Sequence, residues 1–110
     1  MTNAKKKNQN LVKIARLQFA EFLRAKRVEA GLSQLDVAKK LKFSNAQFIS
    51  NIERGVAPVP FPVLKILMKH YSISFEELSD KYMALQRSVL EAELAIENEK
   101  SFAPLAEKAS

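Results

Sequence analysis

Side chains able to do covalent or metal chemistry are few in this 110-residue chain. It has no cysteine and a single histidine, His70. No Cys/His metal cage can be assembled from that set, and no Ser or Cys triad with a positioned base is visible. His70 itself reads as a helix-surface or C-terminal-turn residue. The acidic pairs Glu76/Glu77 and Glu91/Glu93 read as helix-surface charges, the first pair suited to the positive end of a helix. With only two glycines, no phosphate-cradling glycine-rich loop is present. The expectation is a chain with no metal, no cofactor and no catalytic activity.

What the sequence does carry is located charge. The net charge is +6, but residues 1–55 hold twelve Lys/Arg against four Asp/Glu, and residues 56–110 hold six against eight. A half-chain at +8 followed by one at −2 suits a first half that meets a polyanion, nucleic acid or an anionic membrane surface, with a merely solvated basic face as the alternative.

The elements that must position this charge are helices. Hydrophobic residues make up 47% of the chain, and two glycines with four prolines are too few for a many-stranded sandwich. The length allows one domain with appendages. Lacking cysteines and any long apolar run near its start, the chain reads as cytoplasmic, without a membrane partner.

Residues 1–10, "MTNAKKKNQN", show no apolar spacing and read as a flexible basic tail. From Leu11 to Ala30 apolar residues recur at helical spacing, and Gly31 supplies the left-handed end, so one long helix or two collinear ones are expected. Ser33 with Asp36 has the spacing of a capping box ahead of a short helix over 34–41. "KFSN" interrupts it, and Ser44 stands three before Gln47, a second such spacing, with Asn45 the alternative cap that would leave the Gln47 side chain free for a base edge, ahead of a helix that turns Phe48, Ile49 and Ile52 inward and ends at Gly55. "VAPVPFP" removes three backbone donors and forces an extended connection, with Pro62 in the first turn of the next helix. Ser74 with Glu77 opens a last helix from Phe75 to about Lys100.

That last helix carries a second pattern. Leu78, Tyr82, Leu85, Val89, Ala92 and Ile96 are spaced 4, 3, 4, 3, 4, an a/d heptad seam. A helix of that length, about 38 Å, outruns a small domain, which favours a partner helix and a homodimer. Packing back on the chain's own Leu11–Leu17 segment is the alternative.

Two short helices joined by a tight turn between Gly31 and Gly55 have the geometry of a helix-turn-helix, whose second helix enters the major groove of duplex DNA while the first crosses the backbone. "GLSQLDVAKKL", "ISNIERG" and "LKILMKHYSIS" together resemble the XRE-type family of the lambda and Cro repressors, over about residues 19–78. The resemblance implies an all-α, lambda-repressor-like fold of five helices with a long C-terminal helix. The organisation expected is a basic tail at 1–10, a helix-turn-helix domain at 11–74, a C-terminal helix at 75–100 and a flexible tail at 101–110.

Carried over position by position, the resemblance makes Gln34 a phosphate-contacting residue that also braces the recognition helix. It places Ala46, Gln47, Phe48 and Asn51 at base-facing positions of a recognition helix at about 46–54; Gln47 and Asn51 have side chains able to pair bidentately with adenine. Arg27 and Glu53 match a largely buried structural ion pair. Arg54 to Ala57 resembles a phosphate-gripping loop, and Lys39, Lys40 and Lys42 are further candidates for the DNA backbone.

Between Leu41 and Glu53 the chain is one residue longer than the usual pattern, and Lys42 stands where glycine is common. A lysine at positive φ is unfavourable and Asn45 tolerates it better, so the left-handed position is expected to have moved or gone. The resemblance implies a DNA-binding transcriptional regulator, and two rival readings accompany it: a protein-interaction module, an antitoxin or adaptor, using Phe48 and the "VPFP" surface to hold a protein partner, and a sequence-tolerant nucleoid protein.

Overall fold

The computed structural model describes the backbone of residues 2–97 and the side chains of residues 9–95. Five helices follow in order: α1 (Thr2–Glu29), α2 (Gln34–Lys40), α3 (Gln47–Glu53), α4 (Phe61–His70) and α5 (Phe75–Glu97). The architecture is all-α and lambda-repressor-like. The tail expected at 101–110 lies outside the described residues.

The chain reverses at four helix ends, and all four use one device. The amide of Leu32 donates to the Arg27 carbonyl, Phe43 to Ala38, Val56 to Asn51 and Ile73 to Met68. Each bond spans a residue in the left-handed region: Gly31, Lys42, Gly55 and Ser72, with φ of 73°, 64°, 74° and 55°. This is the Schellman arrangement, which satisfies carbonyls a helix end would otherwise leave open, and an apolar residue follows each turn. The left-handed position therefore stays at Lys42 and does not move to Asn45. The turn geometry outweighs the side chain's steric cost of roughly 1–2 kcal/mol.

The capping boxes fare differently. Ser33 Oγ accepts from the Asp36 amide while the Asp36 carboxylate accepts from the Ser33 amide, so the first box is complete. At α3 the expected cap is corrected: Asn45 Oδ1, and not Ser44, accepts the Gln47 amide at 2.9 Å. Asn45 stands two residues before that amide, the reach of an Asx turn. Ser74 Oγ accepts the Glu77 amide, but the Glu77 carboxylate goes to Lys26 Nζ at 2.7 Å instead of folding back.

The core lies where α1 crosses the three short helices. Phe19 and Leu23 of α1 meet Val37, Ala38, Ile49, Ile52, Leu64, Leu67, Tyr71 and Ile73. Leu23, Val37, Ile49 and Leu67 are almost wholly excluded from water; burying a side chain of this size contributes about 1.5–3 kcal/mol.

Two expectations change at the ends of the fold. Residues 2–10 belong to α1 rather than to a tail; extending a helix already nucleated costs little, and Ala, Lys and Gln are good helix formers. The heptad seam of α5 faces α1 of the same chain. Lys26 pairs with Glu77, and the Phe19 and Tyr82 rings sit 5.8 Å apart, so the two helices run antiparallel. Leu78, Tyr82 and Leu85 pack on the core, Val89 is half-buried and Ala92 is buried. The side chain of Ile96 lies outside the described residues.

Candidate nucleic-acid interface

α3 is seven residues long and held from within. Ile49 and Ile52 anchor it in the core. Its last residue, Glu53, is bound by a buried polar cluster. Arg27 Nε donates to Glu53 Oε2 at 2.7 Å and Arg27 Nη2 to Oε1 at 3.0 Å, while Gln34 Nε2 donates to the same Oε1 at 3.0 Å. Arg27 Nη1 is used up on the Leu32 carbonyl at 2.8 Å. The cluster thus ties α1, the Gly31 turn, α2 and α3 to one carboxylate. Its bond to Glu53 holds the Arg27 guanidinium above its ordinary range. Nearby, burial pushes the Tyr71 hydroxyl up, and the Glu53 charge adds to the effect.

The opposite face of α3 is open. Gln47, Asn51 and Arg54 succeed one another at i, i+4 and i+7, the spacing of one helical stripe. They form a ladder: Gln47 Nε2 donates to Asn51 Oδ1 at 2.9 Å, and Arg54 Nη2 donates to that same oxygen. The amide oxygen of Asn51 therefore has two donors already. Pairing with adenine needs that oxygen as acceptor, so engaging a base requires releasing at least one rung.

The other assigned residues take distinct places. Phe48 is half-buried, its ring edge-on to Phe43 of the turn at 5.0 Å between centroids. Ala46 is the residue before the helix and is partly covered. Lys39 and Lys40 are exposed in the last turn of α2, and Lys42 is exposed in the turn. Gln34 opens α2 with its amide turned inward onto Glu53. Arg54 begins the loop after α3, but its side chain lies along α3 on Asn51. Arg54 and Asn51 thus act together, and their spacing of three on one helical face is the signal of it in the sequence.

Gly55 fixes where this loop leaves α3. At φ +74° a Cβ would stand 3.2 Å from Leu17 Cδ2 of α1. The position thus favours glycine for its conformation, and a side chain there would also have to push the Leu17 methyl aside.

No group of three or more His, Cys, Asp or Glu among the described residues could hold a metal ion, and none of the described helices is long and apolar enough to cross a membrane.

A buried brace behind a short helix, a polar stripe on its outer face and a lysine-bearing turn before it define a helix-turn-helix domain. A family model for the helix-turn-helix matches residues 23–78, and the chain belongs to that family, the XRE type of DNA-binding regulator. No curated protein and no solved structure gives a match.

Proposed function

We propose that the chain is a transcriptional regulator that sets α3 in the major groove of duplex DNA and acts as a homodimer. The observation that carries the reading is the two-sided character of α3, whose inner face is braced by Glu53 while its outer face offers Gln47, Asn51 and Arg54. Gln47 and Asn51 read bases, and Arg54 adds donors of the type that pairs with guanine. Lys39, Lys40, Lys42 and the loop to Ala57 grip phosphates, with Gln34 holding α2 in place. Phe48, turned onto Phe43, and Ala46 shape the groove-facing surface without a polar contact of their own.

The basic first half supports the same reading. With the α5 seam used up on α1, the surface left for a second copy is the outer face of α5, where Met83, Leu90 and Leu94 are each more than half exposed. Fluorescence anisotropy of a labelled duplex across a salt series tests DNA binding. The expected slope corresponds to several released counterions, and a flat, weak response would favour a protein-interaction module instead. Sedimentation of Leu90→Lys beside the wild type checks the dimer, which the substitution is expected to dissociate.

A further inference from the structure

Behind the loop that follows α3, the helices leave a cleft of about 370 Å³ between α1, the Gly55–Val59 segment and α5. Phe19, Ile52, Val59 and Leu85 give it apolar walls, and Arg16 and Gln86 stand at its polar side. The size is that of a small-molecule site, in which an apolar body is held by a few polar groups. No Asp or Glu lines it. Arg16 is its only charged group, and among the described residues that guanidinium makes no side-chain hydrogen bond or ion pair, unlike Arg24, Arg27, Arg54 and Arg87. The Arg16 guanidinium is exposed at the mouth of the cleft, and beside an apolar wall with no acid lining it, it can hold an oxyanion such as a carboxylate through two parallel bonds.

We propose that this cleft binds a small monocarboxylate with an aromatic or branched apolar body, and that the bound acid tunes the grip on DNA. Arg16 holds the carboxylate, Gln86 donates to its second oxygen, and the body lies against Phe19, Ile52 and Leu85. The coupling follows from what else the walls do. Ile52 is on the inner face of α3, and Gly55–Val59 continues the loop that begins at Arg54, so an occupant bears on both. This regulatory part rests on the DNA-binding reading above, whereas the site itself does not.

The test titrates the isotope-labelled full chain with 3-phenylpropanoate into the millimolar range and follows backbone amide shifts. The neutral 3-phenylpropanamide and the Arg16→Gln variant run in parallel. The expected result is saturable movement of Arg16, Ile52, Val56 and Val59, weakened severalfold in either control, the size expected for loss of a pair at an exposed guanidinium. No movement at these residues, or equal binding of acid and amide, overturns the site. Saturation only by an acidic peptide bearing Phe or Leu overturns it in favour of a protein partner.

Anisotropy of a labelled duplex is then read with and without the acid. A change in DNA affinity for the wild type that is absent in Arg16→Gln supports the coupling, and cleft binding with unchanged DNA affinity overturns it. Cleft shifts in a chain that binds no duplex would instead fault the DNA-binding reading and leave the site standing.

Discussion

Replacing Arg27 by methionine removes three hydrogen bonds at once: two to Glu53 and one to the Leu32 carbonyl. The Glu53 carboxylate, on a side chain only 4% exposed, is then left with the single bond from Gln34. Taking one partner from a buried pair costs about 3–5 kcal/mol, because the surviving charge stays out of water without compensation. Domains of this size are stable by only about 5–15 kcal/mol, so the variant loses a large share of its stability. The double variant Arg27→Met/Glu53→Met has no stranded charge, and replacing a buried pair by apolar groups of similar volume is often neutral. Its loss is expected to be smaller than that of Arg27→Met alone. Urea unfolding followed by far-UV circular dichroism reads all four chains of the cycle, the wild type, Arg27→Met, Glu53→Met and the double variant, and unchanged denaturant slopes are needed to compare midpoints. An Arg27→Met loss under about 1 kcal/mol, or a double variant whose loss equals the sum of the two single losses, would refute the brace as described.

Four further substitutions probe the turns and one cap. Lys42→Gly is expected to raise stability by about 1 kcal/mol, since glycine takes φ 64° without steric cost; a lower thermal midpoint would show that the Lys42 stem packs usefully. Gly55→Ala is expected to cost more than Gly31→Ala in urea unfolding. Both positions have positive φ, but only the Gly55 Cβ would crowd α1, at 3.2 Å from Leu17 Cδ2, whereas at Gly31 nothing lies within 4 Å.

The Asp36 carboxyl is held below its usual range by the backbone amide and then the hydroxyl of Ser33. A depressed folded value gives stability that is present above the unfolded value and is lost as pH falls through the folded one. The stability gap between wild type and Asp36→Asn is therefore expected to be constant near neutrality and to close in acid below the ordinary aspartate range. A gap independent of pH would contradict the cap.

Much of this architecture is legible because local chemistry and packing agree. Ser33 and Asp36 announce a helix start by their own side chains, Gly31 and Gly55 announce helix ends by their conformational freedom, and Arg27 with Glu53 stands out through the family resemblance. Lys42 and Ser72 announce nothing, because their left-handed backbone is imposed by the bonds of Phe43 and Ile73 across them. The seam from Leu78 to Ala92 reveals an apolar face but not what covers it; α1, running antiparallel, and a second chain would leave the same spacing. Helix at 2–10 depends on propagation from the packed part of α1, which no local pattern in those residues records. Likewise Phe43 and Phe48, five residues apart with a turn between them, are brought together by tertiary geometry.

Central to the account is sequence readout by the outer face of α3, and selection from a randomised duplex library at near-physiological salt tests it most directly. The wild type and the Gln47→Ala/Asn51→Ala variant are carried through side by side. The expected result is an enriched motif for the wild type, its half-sites about one helical turn apart if two copies bind together. That motif should be lost in the variant, each bidentate contact being worth about 1–3 kcal/mol of discrimination. Retention of duplexes without enrichment, or the same motif from both chains, would contradict the assignment of Gln47 and Asn51 as the residues that read the sequence.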